Sequence, residues 1–505
     1  MGKTETQRNL AALLAGVLVL GVSAGGAQPL SLELMVEQAR SLNKDCYGSN
    51  LQLHFGPLWY NHPEFVNFYK EAGKPFIRFP GGTMANFYHP EIGLMSDDTA
   101  YTKHDFKKLN DHLRKKVERG ENTDAGFFDF VQQTGSRYSL VLNVSTRTLE
   151  QNRQWLEHVK ASGIEVTHFE IGNELYYTVF EWADAAKSAK SYIKRAKESS
   201  AMIHSIFPDA KVGLIVPSHI YMFESYGGRQ DRLPKRMQQW YDKLVEEQFY
   251  DAVVIHLYSD IGMKPGTKVE DFIPVAQGYE NVIGYAERNL NSALDILEKK
   301  FPGKEIWVTE YGVNGFNGTL AEFGLRDSHL GCLHSDFMLM RYLSRASVTI
   351  AHWHSFNEFY EYQHGANPGI KDQRSNQYAH FNLFAAPLLN SSQYIPVRVV
   401  QDAQVEVGAF FGKDKGYIIV LNKRGEAHSL ESLNGKQGLR VSGVLQLSLA
   451  GDLPINEAME ASEKMDQIKL SGAALQSVNF PPYSITRLEF EREQGGQAGK
   501  KCAIR

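Results

Sequence analysis

Short apolar runs recur along the first 360 residues of the chain, and longer polar or helix-patterned stretches separate them. Each run is rich in β-branched side chains and has the length of a buried parallel strand, about four to eight residues. The eight strands predicted in this way are Ser49–Phe55, Phe76–Phe79, Ser139–Val144, Thr167–Ile171, Lys211–Val216, Ala252–Leu257, Glu305–Thr309 and Val348–Trp353.

Helical patterns lie between several of these strands. The segments Trp182–Ile206 and Tyr279–Lys300 carry apolar residues at spacings of three and four, and Pro302–Gly303 marks the end of the second. Strands that alternate with helices form βαβ units and a parallel sheet, and eight such units indicate a closed (β/α)₈ barrel. A doubly wound sheet is the alternative, but no glycine-rich phosphate loop follows the first strand.

The pattern changes after about residue 385, where strands follow one another without helices. This arrangement is typical of an antiparallel sandwich. The predicted fold is therefore an α/β TIM barrel over residues 45–385 with a smaller C-terminal antiparallel β-sandwich domain over 386–492. The segment 30–36 is a candidate edge strand of that sandwich, and 493–505 is predicted to be a disordered tail.

The first 27 residues have the pattern of a signal peptide. Lys3 and Arg8 precede an apolar run, Leu10–Val22, which small residues follow. The run is shorter than the membrane span of about 20 residues. We therefore predict a secreted protein, periplasmic or extracellular, with no membrane span after cleavage. An uncleaved N-terminal anchor is the alternative.

Composition and cysteine usage narrow the function classes. The formal net charge of −4 argues against a nucleic-acid partner. The three cysteines, Cys46, Cys332 and Cys502, are too few for a disulfide framework and lack metal-ligand spacing. His352 and His354 sit at alternate strand positions like a metal-ligand pair, but they lie on the eighth strand rather than the first, where amidohydrolase-type barrels carry it. No metal and no cofactor are predicted.

Two carboxylates stand where a barrel carries its chemistry, at the C-terminal ends of strands. Glu174 follows the fourth predicted strand and Glu310 ends the seventh. Hydrolysis of a glycosidic bond needs such a pair, one protonated to assist the leaving oxygen and one ionised. Arg78 and Tyr258 are suited to hold Glu310 ionised. Asn173 is suited to bind a sugar 2-hydroxyl.

Together these strand ends resemble a large clan of retaining glycosidases whose acid/base and nucleophile end strands four and seven. The resemblance covers about residues 45–360 and rests on Asn173–Glu174, Arg78, Asn143, His256–Leu257–Tyr258, Glu310 and Trp353, each on the matching predicted strand. The run Arg78–Thr83 and the C-terminal β-domain are similar to the branch of heparanase-like β-glucuronidases, β-xylosidases and α-L-arabinofuranosidases.

The resemblance implies double displacement on a poly- or oligosaccharide, with Glu310 as nucleophile and Glu174 as acid/base. It also implies substrate-binding roles for Arg78, Asn143, Asn173, His256, Tyr258 and Trp353. Some structural readings stay open: Arg78 as an ordinary ion pair, His256 as a core histidine and Trp353 as a packing residue. A transglycosylase with the same residues, or a carbohydrate-binding protein without catalysis, is the alternative function.

Overall fold

The computed structural model describes 12 segments of the chain, and the structural statements below concern these alone. Almost all of the predicted signal peptide and the whole predicted tail lie outside them. The described residues are 27–52, 59–96, 106–120, 123–217, 234–259, 275–313, 325–363, 369–401, 404–435, 439–448, 466–471 and 478–492.

Eight parallel strands close into a barrel, as the sequence predicts, and the first strand pairs with the eighth to complete the ring. Parallel strands covered on both faces must be apolar throughout, and that composition made them recognisable in the sequence. In chain order the barrel strands are Gly48–Asn50, Phe76–Phe79, Tyr138–Leu142, His168–Ile171, Lys211–Ile215, Ala252–Ser259, Glu305–Val313 and Val348–Trp353.

The interior of the barrel is filled by side chains of unequal size. Trp307 on the seventh strand is fully buried. Gly213 on the fifth strand makes room for it, since a Cβ at this glycine would lie 2.6 Å from the indole ring. His168 packs edge-on against the same indole. Large and small residues therefore interlock across the barrel and hold the strand ends above them in place.

Helices surround the barrel and supply the outer layer. The helix after the third strand begins with a capping box, in which Thr148 and Gln151 satisfy each other's backbone N–H groups. The α-helices are Pro63–Glu71, Lys107–Glu118, Asp124–Thr134, Leu149–Ala161, Ala189–Ile206, Lys235–Val245, Val275–Lys300, His329–Leu343, Asn376–Leu383 and Ala385–Asn390. Of these described helices, none is long and apolar enough to cross a bilayer.

A ten-stranded sheet forms the smaller domain and encloses a second apolar core. Its strands are Gln28–Leu34, Arg40–Ser41, Gln393–Val399, Val405–Phe411, Lys415–Asn422, His428–Asn434, Leu439–Ser448, Asp466–Ser471, Asn479–Phe480 and Ser484–Arg492. The N-terminal strand lies inside the sheet rather than at its edge. It pairs antiparallel with Gln393–Val399 and parallel with His428–Asn434, so the sheet contains one parallel pair.

Candidate active site

Glu310 lies at the C-terminal end of the seventh barrel strand, 3% exposed. Arg78 Nη1, from the second strand, donates to Glu310 Oε1 at 2.7 Å. The Tyr258 hydroxyl, from the sixth strand, donates to Glu310 Oε2 at 2.5 Å. The structure thus brings together three of the residues that the sequence singled out, and each oxygen of this carboxylate has its own donor.

The electrostatics of this pocket keep Glu310 ionised. Burial alone would raise the pKa of its carboxyl, but the charges of His256 and Arg78 and the Tyr258 hydrogen bond outweigh it and lower the pKa to about 2. Above about pH 4 this carboxyl therefore carries its negative charge, as a nucleophile requires.

Arg78 is fully buried and has all five of its N–H donors bound by protein. Glu170 accepts two of them, and Asn50, Asn173 and Glu310 accept one each. Arg78 is thus a fixed counter-charge that aligns three strand ends. Its two carboxylate partners, Glu170 and Glu310, compensate for the loss of solvation of the buried guanidinium.

Glu170 was missed as a site residue by the sequence analysis. It lies within the fourth barrel strand, fully buried, four residues before Glu174. The signal was present, because a carboxylate inside a four-residue buried strand needs a cationic partner in the barrel interior.

Glu174 has a different environment from Glu310. Its backbone is left-handed, with φ of 51°, and its side chain is 17% exposed. Its Oε1 lies 2.8 Å from His256 Nδ1. The backbone just before it is fixed, since the Asn86 side chain donates to Asn173 O at 2.7 Å and accepts from Asn173 N at 3.1 Å. The strand end is rigid while the carboxylate itself reaches towards solvent.

His256 links the two carboxylates. Its Nδ1 lies 2.8 Å from Glu174 Oε1 and 3.6 Å from Glu310 Oε2, and its Nε2 lies 3.1 Å from Thr309 Oγ1. Burial lowers the pKa of this imidazole, but the two carboxylates raise it more, so the net shift is upward. The buried ring is thus positioned to exchange or share a proton with Glu174.

Asn173 keeps part of its amide unused. Its Oδ1 accepts from Arg78 Nη2 at 2.8 Å. Its Nδ2 is buried and has no hydrogen-bond partner within the described part of the chain. A buried amide donor without an acceptor costs free energy, and a substrate hydroxyl would remove that cost.

The structure gives Asn143 a different role from the one that the sequence suggested. Its Oδ1 accepts from the backbone of Ser145 and Thr146, and its Nδ2 donates to Tyr88 O and Thr146 Oγ1. All four of its hydrogen-bonding positions are occupied by protein. Asn143 therefore orders the turn after the third strand, and its substrate-binding role stays a prediction.

Trp353, for which the sequence predicts a substrate contact, is surrounded by protein, and that role also stays a prediction. Its indole points out of the barrel, is 3% exposed, and donates from Nε1 to Gln377 Oε1 at 3.1 Å. Side chains alternate along a strand, so the neighbour of an outward residue points inward. That neighbour is His354, whose Nε2 lies 3.9 Å from Glu310 Oε2. The sequence analysis considered His354 only as a metal ligand.

The described residues contain no group of three or more His, Cys, Asp or Glu side chains that could hold a metal ion. His352, whose spacing had suggested a ligand pair with His354, is fully buried. Its burial lowers its pKa well below the usual value. It stacks on Phe76 in the barrel interior at 5.4 Å between ring centroids.

A cavity of about 660 Å³ opens between the segments that follow the third and fourth strands, and neither Glu174 nor Glu310 lines it. Thr146 and Trp182 line it, and Lys194 and Arg195 contribute from the helix Ala189–Ile206. Thr146 Oγ1 donates to Asn86 O, which connects this cavity with the residue that holds Asn173.

No family model and no curated protein matches the sequence. Solved structures do match. An α-L-arabinofuranosidase from Thermotoga maritima in complex with arabinose has a TM-score of 0.64 at 15% identity, covering 92% of this chain and 100% of that one. The GH51 arabinofuranosidase from Xanthomonas axonopodis pv. citri has a TM-score of 0.62 at 17% identity, with the same coverage.

A third similar structure is the GH44 endoglucanase Cel44A from Clostridium thermocellum, with a TM-score of 0.58 at 12% identity, covering 92% of this chain and 100% of that one. The chain shares its fold, a (β/α)₈ barrel with a β-domain, with these structures. The matches cover 92% of the chain, so the similarity includes both the barrel and the β-domain.

Proposed function

We propose that the protein is a retaining glycoside hydrolase in which Glu310 is the nucleophile and Glu174 the acid/base. The observation that carries this proposal is the difference in protonation environment between two carboxylates that share one histidine. Glu310 is buried and bound by Arg78 and Tyr258, whereas Glu174 contacts His256 and is partly open to solvent. A glycosidase needs one carboxylate of each kind.

The spacing of the pair supports retention over inversion. Because Glu174 Oε1 and Glu310 Oε2 both lie close to His256 Nδ1, these two oxygens are at most about 6.4 Å apart. Retaining enzymes hold their carboxyl groups about 5–5.5 Å apart, and inverting enzymes about 6.5–9.5 Å, which leaves room for water.

In the first step, a Glu310 oxygen attacks the anomeric carbon and forms an ester bond. The bond from that carbon to the leaving oxygen breaks, and Glu174 donates its proton to this oxygen. Arg78 and Tyr258 stabilise the charge of Glu310 before attack and hold the carboxylate in place. The free Asn173 Nδ2 donor is suited to the 2-hydroxyl, a contact that strengthens in the transition state.

In the second step, Glu174 takes a proton from water while the water oxygen attacks the anomeric carbon. The ester bond to Glu310 breaks and the carboxylate is restored. His256 contacts Glu174 throughout and is placed to stabilise each of its protonation states. If a sugar hydroxyl replaced water in this step, the same residues would perform transglycosylation.

We further propose that the substrate is a poly- or oligosaccharide and that the N-terminal segment directs secretion. The similarity in fold to solved arabinofuranosidase and endoglucanase structures supports a carbohydrate substrate, as does the unpartnered buried Asn173 Nδ2 donor beside the two carboxylates. The basic start and the apolar run of the first 27 residues support export.

The test is hydrolysis of a panel of aryl glycosides and polysaccharides, with the anomeric configuration of the first product followed by proton NMR. The expected product keeps the configuration of the substrate. An inverted product would contradict double displacement. An acceptor-sugar product in place of the free sugar would reassign the protein as a transglycosylase. Failure to cleave any substrate, together with polysaccharide binding in an affinity gel, would favour the binding-protein alternative.

A further inference from the structure

Gly81 and Gly82 follow the second barrel strand. They leave room for the side chains of Asn50, at the end of the first barrel strand, and Gln52, just after it. A Cβ at Gly81 would collide with Asn50 Oδ1, and a Cβ at Gly82 would collide with Gln52 Nε2. Gly82 also has a left-handed backbone, with φ of 70°. Asn50 is explained by its bond to Arg78. Gln52, in contrast, has no part in the catalytic steps above, although the chain keeps a glycine that admits it.

Gln52 is held in position by the segment after the eighth strand. The Asn357 side chain accepts from Gln52 N at 3.2 Å and donates to Gln52 O at 2.6 Å. These two hydrogen bonds hold the backbone of Gln52 and therefore fix the point from which its side chain extends. Binding residues are preorganised by neighbouring groups in this way.

The Gln52 side chain extends to His354, with 3.4 Å between Gln52 Nε2 and His354 Nε2. An amide nitrogen only donates, so His354 Nε2 is the acceptor and Nδ1 carries the proton. Burial lowers the pKa of His354, which favours this neutral form. His354 Nε2 in turn lies 3.9 Å from Glu310 Oε2, so the pair borders the nucleophile.

Both side chains keep polar atoms available. Within the described part of the chain, Gln52 Oε1 and His354 Nδ1 have no hydrogen-bond partner, and neither is a buried orphan. The pair therefore offers one acceptor and one donor beside Glu310, next to the Tyr258 ring, whose centroid lies 6.2 Å from that of His354. One acceptor with one donor is the complement of sugar hydroxyl groups.

Of the residues that the structure describes, the two arginines near this pair are already paired with carboxylates. Arg78 has no N–H left to donate. Arg326, which acts on His354 electrostatically, lies 3.1 Å from Glu358 Oε1 and 3.5 Å from Asp327 Oδ1. A carboxylate on the sugar would meet the negative charge of Glu310, and neither arginine would be a dedicated counter-charge for it.

We propose that Gln52 and His354 bind hydroxyl groups of the glycone, the sugar that becomes attached to Glu310, and that this glycone is uncharged rather than a uronic acid. The inference rests on the proposed glycosidase function and narrows its substrate class to neutral sugars. Gly82 belongs to this subsite because it admits the Gln52 side chain.

The experiment compares the full-length wild type with Gln52→Met, which keeps the length of the side chain and removes its polar atoms. Each is assayed on the aryl glycoside that wild type cleaves and on the analogues lacking single hydroxyls. For the wild type, kcat/KM on one deoxy analogue should be roughly 10- to 100-fold lower than on the intact substrate, as expected for the loss of one or two buried hydrogen bonds. For Gln52→Met, kcat/KM on the intact substrate should fall by a similar factor. The variant should then cleave the deoxy analogue about as efficiently as the intact substrate.

Gln133→Met, an exposed glutamine on the helix Asp124–Thr134, is the matched control and should keep wild-type kinetics. Gln52→Asn retains the amide but shortens its reach, so it serves as a second variant if the methionine variant folds poorly. Aryl glycosides of neutral sugars should exceed the matching aryl uronide in kcat/KM by about 100-fold or more, as expected when a carboxylate is buried without a partner.

An unchanged deoxy penalty in both Gln52 variants would overturn the role of Gln52. A wild type that prefers the uronide would overturn the neutral glycone and leave the glycosidase proposal intact. A wild type that cleaves no glycoside would overturn both.

Discussion

Glu310 and Glu174 are both glutamates at the same rim of the barrel, but they differ in burial and in their hydrogen-bond partners. Glu310 has a donor on each oxygen and is almost wholly buried. Glu174 is 17% exposed and contacts His256. The fold therefore stabilises the charge of Glu310 and leaves Glu174 partly open to solvent. Four changes test this difference.

Removing the buried carboxylate should have the largest effect. Glu310→Ala deletes the nucleophile, and kcat should fall by about 10³-fold or more on every glycoside. Steady-state kinetics on a good aryl glycoside would measure this loss. Glu298→Ala, a surface carboxylate substitution on the helix Val275–Lys300, is the control and should keep wild-type kcat. Comparable losses in both variants would show a general effect of charge removal.

Removing the exposed carboxylate should have an effect that depends on the leaving group. Glu174→Ala should lose about 10²- to 10⁴-fold on substrates with poor leaving groups, which need the proton, and less on those with good ones. Azide should partly restore turnover by attacking the glycosyl ester in place of activated water. A uniform loss with no response to azide would contradict the assignment of the acid/base.

Weakening the hold on Glu310 should shift the pH profile. Tyr258→Phe removes a hydrogen bond that lowers the pKa of Glu310, so this pKa should rise and the acid limb of kcat/KM should move to higher pH. Activity at neutral pH should fall by roughly 10- to 100-fold, as for loss of a hydrogen bond to a charged group. A pH–rate profile is the measurement. An acid limb that stays in place would show that Tyr258 does not stabilise the ionised form.

The smallest catalytic effect should come from Trp353→Phe. The indole packs outside the barrel and donates to Gln377, so its loss should lower thermal stability while kcat/KM stays within about threefold of wild type. Thermal unfolding and kinetics on the same preparation would separate the two. A large loss of activity at unchanged stability would return Trp353 to the substrate site.

The sequence was sufficient for the barrel because its strands are buried on both faces and form unbroken apolar runs. The carboxylate pair, Arg78 and Tyr258 were predictable for a related reason, since residues at the C-terminal strand ends converge on one rim. For Trp353 the resemblance gave the position in the strand but not the face on which the side chain points. A shift of one residue exchanges the two faces, and His354 takes the inward one.

Other features depended on contacts between segments that are distant in the chain. Asn143 makes three hydrogen bonds to the turn that follows it, and a fourth to Tyr88 O, which lies 55 residues earlier in the chain. The N-terminal strand was expected at an edge, but its interior place depends on a parallel pairing with His428–Asn434, about 400 residues later. Pairing of that kind leaves no local pattern in the sequence.

The most direct test of the central claim is to trap the intermediate with a 2-deoxy-2-fluoro glycoside that carries a good leaving group, and to locate the added sugar by peptide mass spectrometry. We predict one sugar per chain, attached to Glu310 in the peptide that contains the seventh barrel strand. Attachment to Glu174, or turnover without any covalent adduct, would contradict the account.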